Sequence, residues 1–128
     1  MKVPRIDAAA AALTLRALAN ESRLQIVLML LEGEAAVAAI ERALSLRQPN
    51  LSQQLGELRE AGLVISRRES RSVIYSLAGP AQQRLVAALA HGFDVAGAAP
   101  LRPAQIVVQA SRSQSHLGAV FARILAPE

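Results

Sequence analysis

The stretch Arg47-Gln48-Pro49-Asn50-Leu51-Ser52-Gln53-Gln54-Leu55-Gly56-Glu57-Leu58-Arg59-Glu60-Ala61-Gly62-Leu63-Val64 decides the fold of this chain. Leu51, Leu55 and Leu58 recur at helical spacing, so they predict a helix anchored to a core through one face. The opposite face begins with amide and hydroxyl side chains, which can both donate to and accept from the edges of DNA bases. This pattern favours a helix that lies in a DNA groove.

The residues after this helix predict a glycine stop and a β-hairpin. Gly62 and Leu63 indicate a left-handed helix end with a hydrophobic contact back to the last turn. From there the apolar period changes from 3.6 to 2 in residues 63–69 and 72–77, which are rich in β-branched side chains. Ser70 and Arg71 separate the two runs. We therefore predict a two-stranded hairpin with a basic tip, packed on the helical core because an isolated hairpin is only marginally stable.

Helical patterns flank these elements on both sides. We predict a first helix over residues 7–18, with Leu13 on its apolar side, and a second helix capped by Asn20 and ended by Gly33. A third helix is predicted over residues 35–44 and a fifth from Gly79-Pro80 to about Gly92. Two short helices joined by a tight turn and followed by a hairpin predict a mainly α (α+β) winged helix-turn-helix.

Length and composition restrict the class of protein. The 128 residues are 52% apolar but include only two Phe, one Tyr and no Trp, which favours helices packed through small side chains. No apolar run is long enough to span a bilayer and no signal-peptide core is present, so a cytoplasmic protein with no membrane partner is expected. The chain has no cysteine, which excludes disulfides, thiolate metal sites and thiol redox switching.

The chain is expected to divide at residue 93. Residues 1–93 form the predicted winged helix-turn-helix domain for DNA binding and dimerisation, and residues 94–128 form a C-terminal extension. Apolar side chains recur at helical spacing in that extension and predict a final amphipathic helix. They are Leu117, Val120, Phe121 and Ile124.

The charge balance favours a polyanionic partner. Fourteen basic residues against ten acidic ones give a net charge of +4, and thirteen of the basic residues are Arg. The planar guanidinium holds phosphates and guanine edges in a fixed geometry. A generally arginine-rich proteome is the alternative explanation for any single Arg.

Four segments resemble one known family. Leu18-Ala19-Asn20-Glu21-Ser22-Arg23-Leu24, Gln48 to Leu55, Leu58 to Val64 and the hairpin end Ile74-Tyr75-Ser76-Leu77 are similar to the ArsR/SmtB transcriptional repressors, in the same order and spacing. The resemblance covers about residues 10 to 93. It implies a homodimeric repressor that binds double-stranded DNA at a palindromic operator and leaves it when an inducer binds.

Within that family, Leu31-Glu32-Gly33-Glu34 and Gln48-Pro49 resemble the branch of sulfide and persulfide sensors related to biofilm-growth repressors. That branch senses through two cysteines, and the corresponding positions here hold Leu28 and Asp94. Thiol sensing is therefore not carried over. His91 and His116 are the only imidazoles and lack carboxylates at ligand spacing, so no metal is predicted; His91 more simply complements the helix dipole. No cofactor is predicted.

Eight side chains are the candidates for DNA contact. On the predicted helix, Gln53 and Gln54 are the main specificity candidates, with Ser52 assigned to a phosphate. Strand alternation places Arg67 and Arg68 on opposite faces of the hairpin, and Arg68 is the one expected at a phosphate or the minor groove. A solvated surface charge is the equal alternative for each wing Arg. The full set is Arg47, Gln48, Asn50, Ser52, Gln53, Gln54, Arg68 and Arg71.

The expected function is that of a sequence-specific DNA-binding repressor. No nucleophile with a base, no phosphate loop and no carboxylate pair predicts catalysis. The sequence leaves open whether an unknown small-molecule inducer, a partner protein or nothing releases it from DNA, and whether it represses or activates. The alternative is a winged-helix module for protein association, of the antirepressor type, with weak or vestigial DNA binding.

Overall fold

The computed structural model describes residues 2–94. In this range five helices and three strands follow one another in the order of a winged helix-turn-helix, as predicted. The predicted amphipathic helix of the C-terminal extension, with His116, lies outside the described residues. The elements are α1 (Ala8–Leu18), α2 (Glu21–Leu31), β1 (Ala35–Ala36), α3 (Val37–Leu44), α4 (Asn50–Glu60), β2 (Val64–Glu69), β3 (Ser72–Leu77) and α5 (Pro80–Phe93).

Side-chain caps fix the start of the first two helices. Asp7 Oδ1 accepts a hydrogen bond from the Ala10 amide at 3.1 Å and begins α1. Asn20 Oδ1 accepts from the Arg23 amide at 3.0 Å, which confirms the predicted cap of α2. α2 ends at Leu31, just before Gly33, whose φ of +146° suits a residue without a Cβ.

The third helix starts two residues later than predicted. Ala35 and Ala36 form β1, which pairs antiparallel with Tyr75 and Ile74 of β3, and the helix begins at Val37. The sheet therefore has three strands in the order β1-β3-β2, and the prediction of a two-stranded hairpin was incomplete. Two alanines have high helix propensity and are too few to show a period of 2, so only the pairing with β3 makes them a strand.

The wing is the hairpin of β2 and β3. Its register runs from Val64 opposite Leu77 to Glu69 opposite Ser72, and Ser70 and Arg71 form the tip as predicted. Ser70 turns the chain with a φ of +56°. The base of the hairpin is anchored in the core, because Val64 and Leu77 are both buried.

The predicted stop of α4 at Gly62 is confirmed. Gly62 has a φ of +76°, its amide donates to the Arg59 carbonyl at 3.0 Å, and the Leu63 amide donates to the Leu58 carbonyl at 3.0 Å. These two bonds form a Schellman motif. Leu58 and Leu63 are both buried, so the hydrophobic contact that accompanies this motif fixes the direction in which the chain enters β2.

One apolar core joins the end of α1, the helices α2, α3, α4 and α5, and the sheet. Its members are Leu18, Ile26, Val27, Leu30, Ile40, Leu51, Leu55, Leu58, Leu63, Val64, Tyr75, Leu77 and Val86. Leu13, on the apolar side of α1, lies outside this core and is 63% exposed in the single chain. Val3, Ile6 and Leu15 are exposed too, so the N-terminal segment and α1 present an apolar surface.

Candidate nucleic-acid interface

The core determines which face of α4 is presented to solvent. Leu51 and Leu58 are completely buried and Leu55 is 2% exposed, so the side of the helix opposite these leucines faces outward. Gln53 lies on that outward side. Its side chain is exposed and makes no hydrogen bond to any of residues 2–94. Both its carbonyl oxygen and its amino group can therefore contact a base.

Gln48 and Ser52 hold each other at the start of α4. Gln48 Oε1 accepts from the Ser52 amide at 3.0 Å and from Ser52 Oγ at 2.6 Å. Pro49 occupies the N-cap position and makes no side-chain cap bond, so Gln48 satisfies an amide of the first turn in its place. Arg47 stands exposed just before this cap. The geometry gives Gln48 and Ser52 a structural role within the protein, and the oxygen of the Ser52 hydroxyl can still accept.

Gln54 is half-buried and hydrogen-bonded at both ends of its amide. Its Oε1 accepts from Arg23 Nη1 at 2.7 Å, and its Nε2 donates to Asn50 Oδ1 at 2.9 Å. Arg23 is anchored in turn by Nε, which donates to the Ala17 carbonyl at 2.6 Å. We call Arg23, Gln54 and Asn50 the amide relay. It turns the Gln54 oxygen toward Arg23 and leaves one N–H of Gln54 unused, unlike the two-sided contact expected from the sequence.

The wing separates its arginines into paired and unpaired groups. Arg67 makes a bidentate ion pair with Glu34, with Nη1 to Oε1 at 2.6 Å and Nη2 to Oε2 at 3.0 Å, and lies 3.5 Å from Glu69. Hydrogen bonding to Arg67 lowers the pKa of the Glu34 carboxyl, and the same contact raises the pKa of Arg67. Arg68 and Arg71 are exposed and form no ion pair within residues 2–94, so their charges remain open to a phosphate.

An open cleft lies between the start of α4 and the wing. Its volume is about 500 Å³, and its walls include Gln48 and Ser52 from α4 and Arg71 and Tyr75 from the wing. Arg59 also lines the cleft, and its Nη1 donates to the Tyr75 hydroxyl at 3.0 Å. This bond ties α4 to β3 and fixes the angle between the helix and the wing.

Three of these residues could not be identified from the sequence. Arg23, Glu34 and Arg59 were not predicted to position the interface, since their partners lie 31, 33 and 16 residues away in the chain. Arg23 does belong to the segment that carries the family resemblance. The eight predicted candidates fall into two groups. Four have exposed side chains that make no hydrogen bond or ion pair within residues 2–94: Arg47, Gln53, Arg68 and Arg71. The other four take part in hydrogen bonds within the protein: Gln48, Asn50, Ser52 and Gln54.

Other kinds of site have little support in the described residues. Among residues 2–94 no three His, Asp or Glu side chains cluster as metal ligands. His91 is exposed in the last turn of α5. None of the helices in this part of the chain has the length and apolarity needed to cross a membrane.

Comparisons with known proteins agree with this geometry. Residues 20–66 match the profile of a family described as bacterial regulatory protein, arsR family. A biofilm growth-associated repressor of Agrobacterium fabrum is 47% identical over 78 residues, which cover 61% of this chain and 67% of the relative. The transcriptional activator HlyU of Vibrio cholerae is 46% identical over 71 residues, which cover 56% of this chain and 66% of the relative. The chain thus matches about two thirds of the length of these relatives.

Solved structures have the same fold. That of HlyU from Vibrio cholerae superposes with a TM-score of 0.64 at 39% identity, and the match covers 69% of this chain and 96% of that chain. A homodimeric winged helix-turn-helix DNA-binding domain from Mycobacterium bovis, described as a possible ArsR-family transcriptional regulator, superposes with a TM-score of 0.59 at 36% identity. That match covers 68% of this chain and 85% of the other.

Proposed function

This chain belongs to the ArsR family of bacterial regulatory proteins, and from that premise we propose that it is a sequence-specific DNA-binding repressor. The family and the relatives are transcriptional regulators and not enzymes. The proposed protein acts in the cytoplasm as a homodimer on a palindromic operator. It leaves DNA in response to a signal that does not use thiol chemistry, since the chain has no cysteine.

The observation that carries the proposal is the pairing of α4 with the wing. α4 is fixed by three buried leucines and presents the exposed Gln53 amide, and the wing beside it carries the unpaired guanidinium groups of Arg68 and Arg71. An amide on a rigid helix suits contact with base edges, and unpaired cations on an adjacent hairpin suit phosphates or the minor groove. Arg47 extends this cationic surface at the start of the helix.

The apolar surface of the N-terminal segment and α1 supports a homodimer. Val3 is 75% exposed and Ile6 is 72% exposed, with Leu13 and Leu15 beyond them on the helix. Exposed apolar side chains of this size are typical of an association surface. A relative of the same fold is described as homodimeric. In a symmetric dimer, two copies of α4 would contact half-sites about one helical turn apart, which is why we propose a palindrome.

A protein-association module is the second candidate. Among the described residues, the interface lacks the aromatic anchors on which protein contacts usually rely, since Tyr75, the only aromatic residue that this part of the chain places along it, is buried. The direction of regulation is a separate question, because one relative is described as a repressor and another as an activator. Transcription of the target genes in a deletion strain should rise if the protein represses and fall if it activates.

Binding to DNA across a salt series tests the proposal. A fragment enriched from the genome with the purified protein is compared with a scrambled fragment of equal length. We expect a steep fall of affinity with salt and a preference of at least about 10³ for the enriched fragment. Equal affinity for both fragments, or a flat salt dependence, would favour the association module.

A further inference from the structure

The amide relay determines the polarity of the hydrogen-bonding groups that α4 presents. A guanidinium has only donors, so the Gln54 atom that faces Arg23 must be the carbonyl oxygen. The amino group of Gln54 then faces Asn50, and the Asn50 atom that receives it must be Oδ1. Arg23 can only donate, so it decides which atom donates and which accepts in both hydrogen bonds of the relay.

The relay consequently presents mainly hydrogen-bond donors to solvent at Asn50, its exposed end. The two N–H groups of Asn50 Nδ2 and the second N–H of Gln54 Nε2 are not used within the relay, whereas both carbonyl oxygens already accept hydrogen bonds. Asn50 is exposed at the first turn of α4, and because its Oδ1 faces Gln54, its amino group is the part left for another partner. Base edges that complement such a surface carry acceptors, and guanine presents two side by side at O6 and N7.

We infer that the relay makes Asn50 a donor to guanine, and that Arg23, which does not contact DNA, is the positioning residue that sets this specificity. The inference rests on the proposed function of the chain as a DNA reader. Without the relay, an asparagine amide can turn its oxygen and nitrogen together toward adenine. With the relay, the Asn50 oxygen is turned toward Gln54, so discrimination against adenine follows from a residue on a different helix.

The first experiment locates the base pair that Asn50 contacts. Selection from a randomised DNA library is carried out with the unchanged protein and with Asn50→Ala. We expect Asn50→Ala to lose preference at one base pair in each half-site, where the unchanged protein selects guanine by roughly 5- to 150-fold over adenine. Adenine at that position in the unchanged protein would overturn the inference.

The second experiment reverses the relay. In Gln54→Glu, the carboxylate still accepts from Arg23 but cannot donate, so Asn50 must turn its amino group inward and its oxygen outward. Preference at the located base pair should then shift from guanine to a base with an amino group, adenine or cytosine. Gln25→Glu is the matched control, because it adds the same charge at an exposed position of α2 outside the candidate interface and should leave that base pair unchanged.

The third experiment removes the inner donors. In Arg23→Met, the ratio of guanine to adenine selected at that base pair should lie within about twofold of 1. Without the Arg23 donors, the Gln54 and Asn50 amides can each take either orientation. The thermal midpoint of each variant is measured in parallel, and base preference is scored as a ratio that partial unfolding does not alter. If the unchanged protein selects no sequence, the proposed function fails; if it selects one and Gln54→Glu keeps guanine, only the relay inference fails.

Discussion

Arg71 at the tip of the wing allows the most quantitative test of phosphate contact. Its guanidinium is exposed and has no ion pair within residues 2–94. Each phosphate that a protein neutralises contributes about 0.9 to the slope of log affinity against log salt. A homodimer carries two copies of the wing, so Arg71→Ala should reduce the slope by about 1.8.

The expected effect on affinity follows from that slope. Between about 50 and about 200 mM salt, the unchanged protein should lose roughly tenfold more affinity than Arg71→Ala. Fluorescence anisotropy of a labelled operator fragment at several salt concentrations measures both slopes. The unfolding midpoint should be unchanged, because Arg71 lies at an exposed turn.

Arg42→Ala is the matched control for this measurement. Arg42 is exposed on α3 and has no ion pair within residues 2–94, so its removal changes the net charge equally at a position away from the wing. Its slope should equal that of the unchanged protein. A reduction near 0.9 in Arg71→Ala would indicate one wing contact per complex, and equal slopes for both variants would refute the assignment of the wing to DNA.

Three further predictions concern stability. Gly62→Ala should cost about 1 kcal/mol in urea unfolding, because φ is +76° and no heavy atom lies within 4 Å of the added Cβ, so backbone strain is the whole effect; an unchanged midpoint would contradict this. Leu58→Ala should cost about 2–5 kcal/mol, since Leu58 is completely buried, and a cost below about 1 kcal/mol would argue against the packing of α4 described above. Glu34→Gln should lower the thermal midpoint slightly at neutral pH. Because Arg67 lowers the folded-state pKa of Glu34, the ion pair stabilises the folded protein at pH values above the usual pKa of the carboxyl. This stabilisation disappears as the pH falls through the lowered pKa, so the thermal midpoints of the two proteins should become equal in acid. A difference between the midpoints that persists in acid would exclude an ionic origin.

Local signals in the sequence were sufficient for most of the fold. The spacing of Leu51, Leu55 and Leu58, the cap at Asn20 and the stop at Gly62 each depend on residues within one or two turns, and all three are confirmed. The change of period after Gly62 likewise located the hairpin and its tip. These features are encoded by neighbours in the chain, which is why they can be predicted from a single sequence.

Contacts between distant segments could not be predicted in the same way. β1 exists only because Ala35 and Ala36 pair with β3, and the exposure of Leu13 depends on which surfaces the rest of the chain covers. In the candidate interface, the outward face of α4 was recognised from its residue types. The bonds that engage Gln48 and Gln54 were not, because an amide has several competing partners and only the tertiary arrangement selects among them.

Library selection with Gln53→Ala shows whether the outward face of α4 contacts base edges. Gln25→Ala, an exposed glutamine of α2, is the control. We expect the unchanged protein and Gln25→Ala to select the same pair of inverted half-sites about one helical turn apart. Gln53→Ala should lose about 1–3 kcal/mol of discrimination at one base pair in each half-site. If Gln53→Ala selected the same sequence with the same preference at every base pair, the outward face of α4 would not read base edges through Gln53.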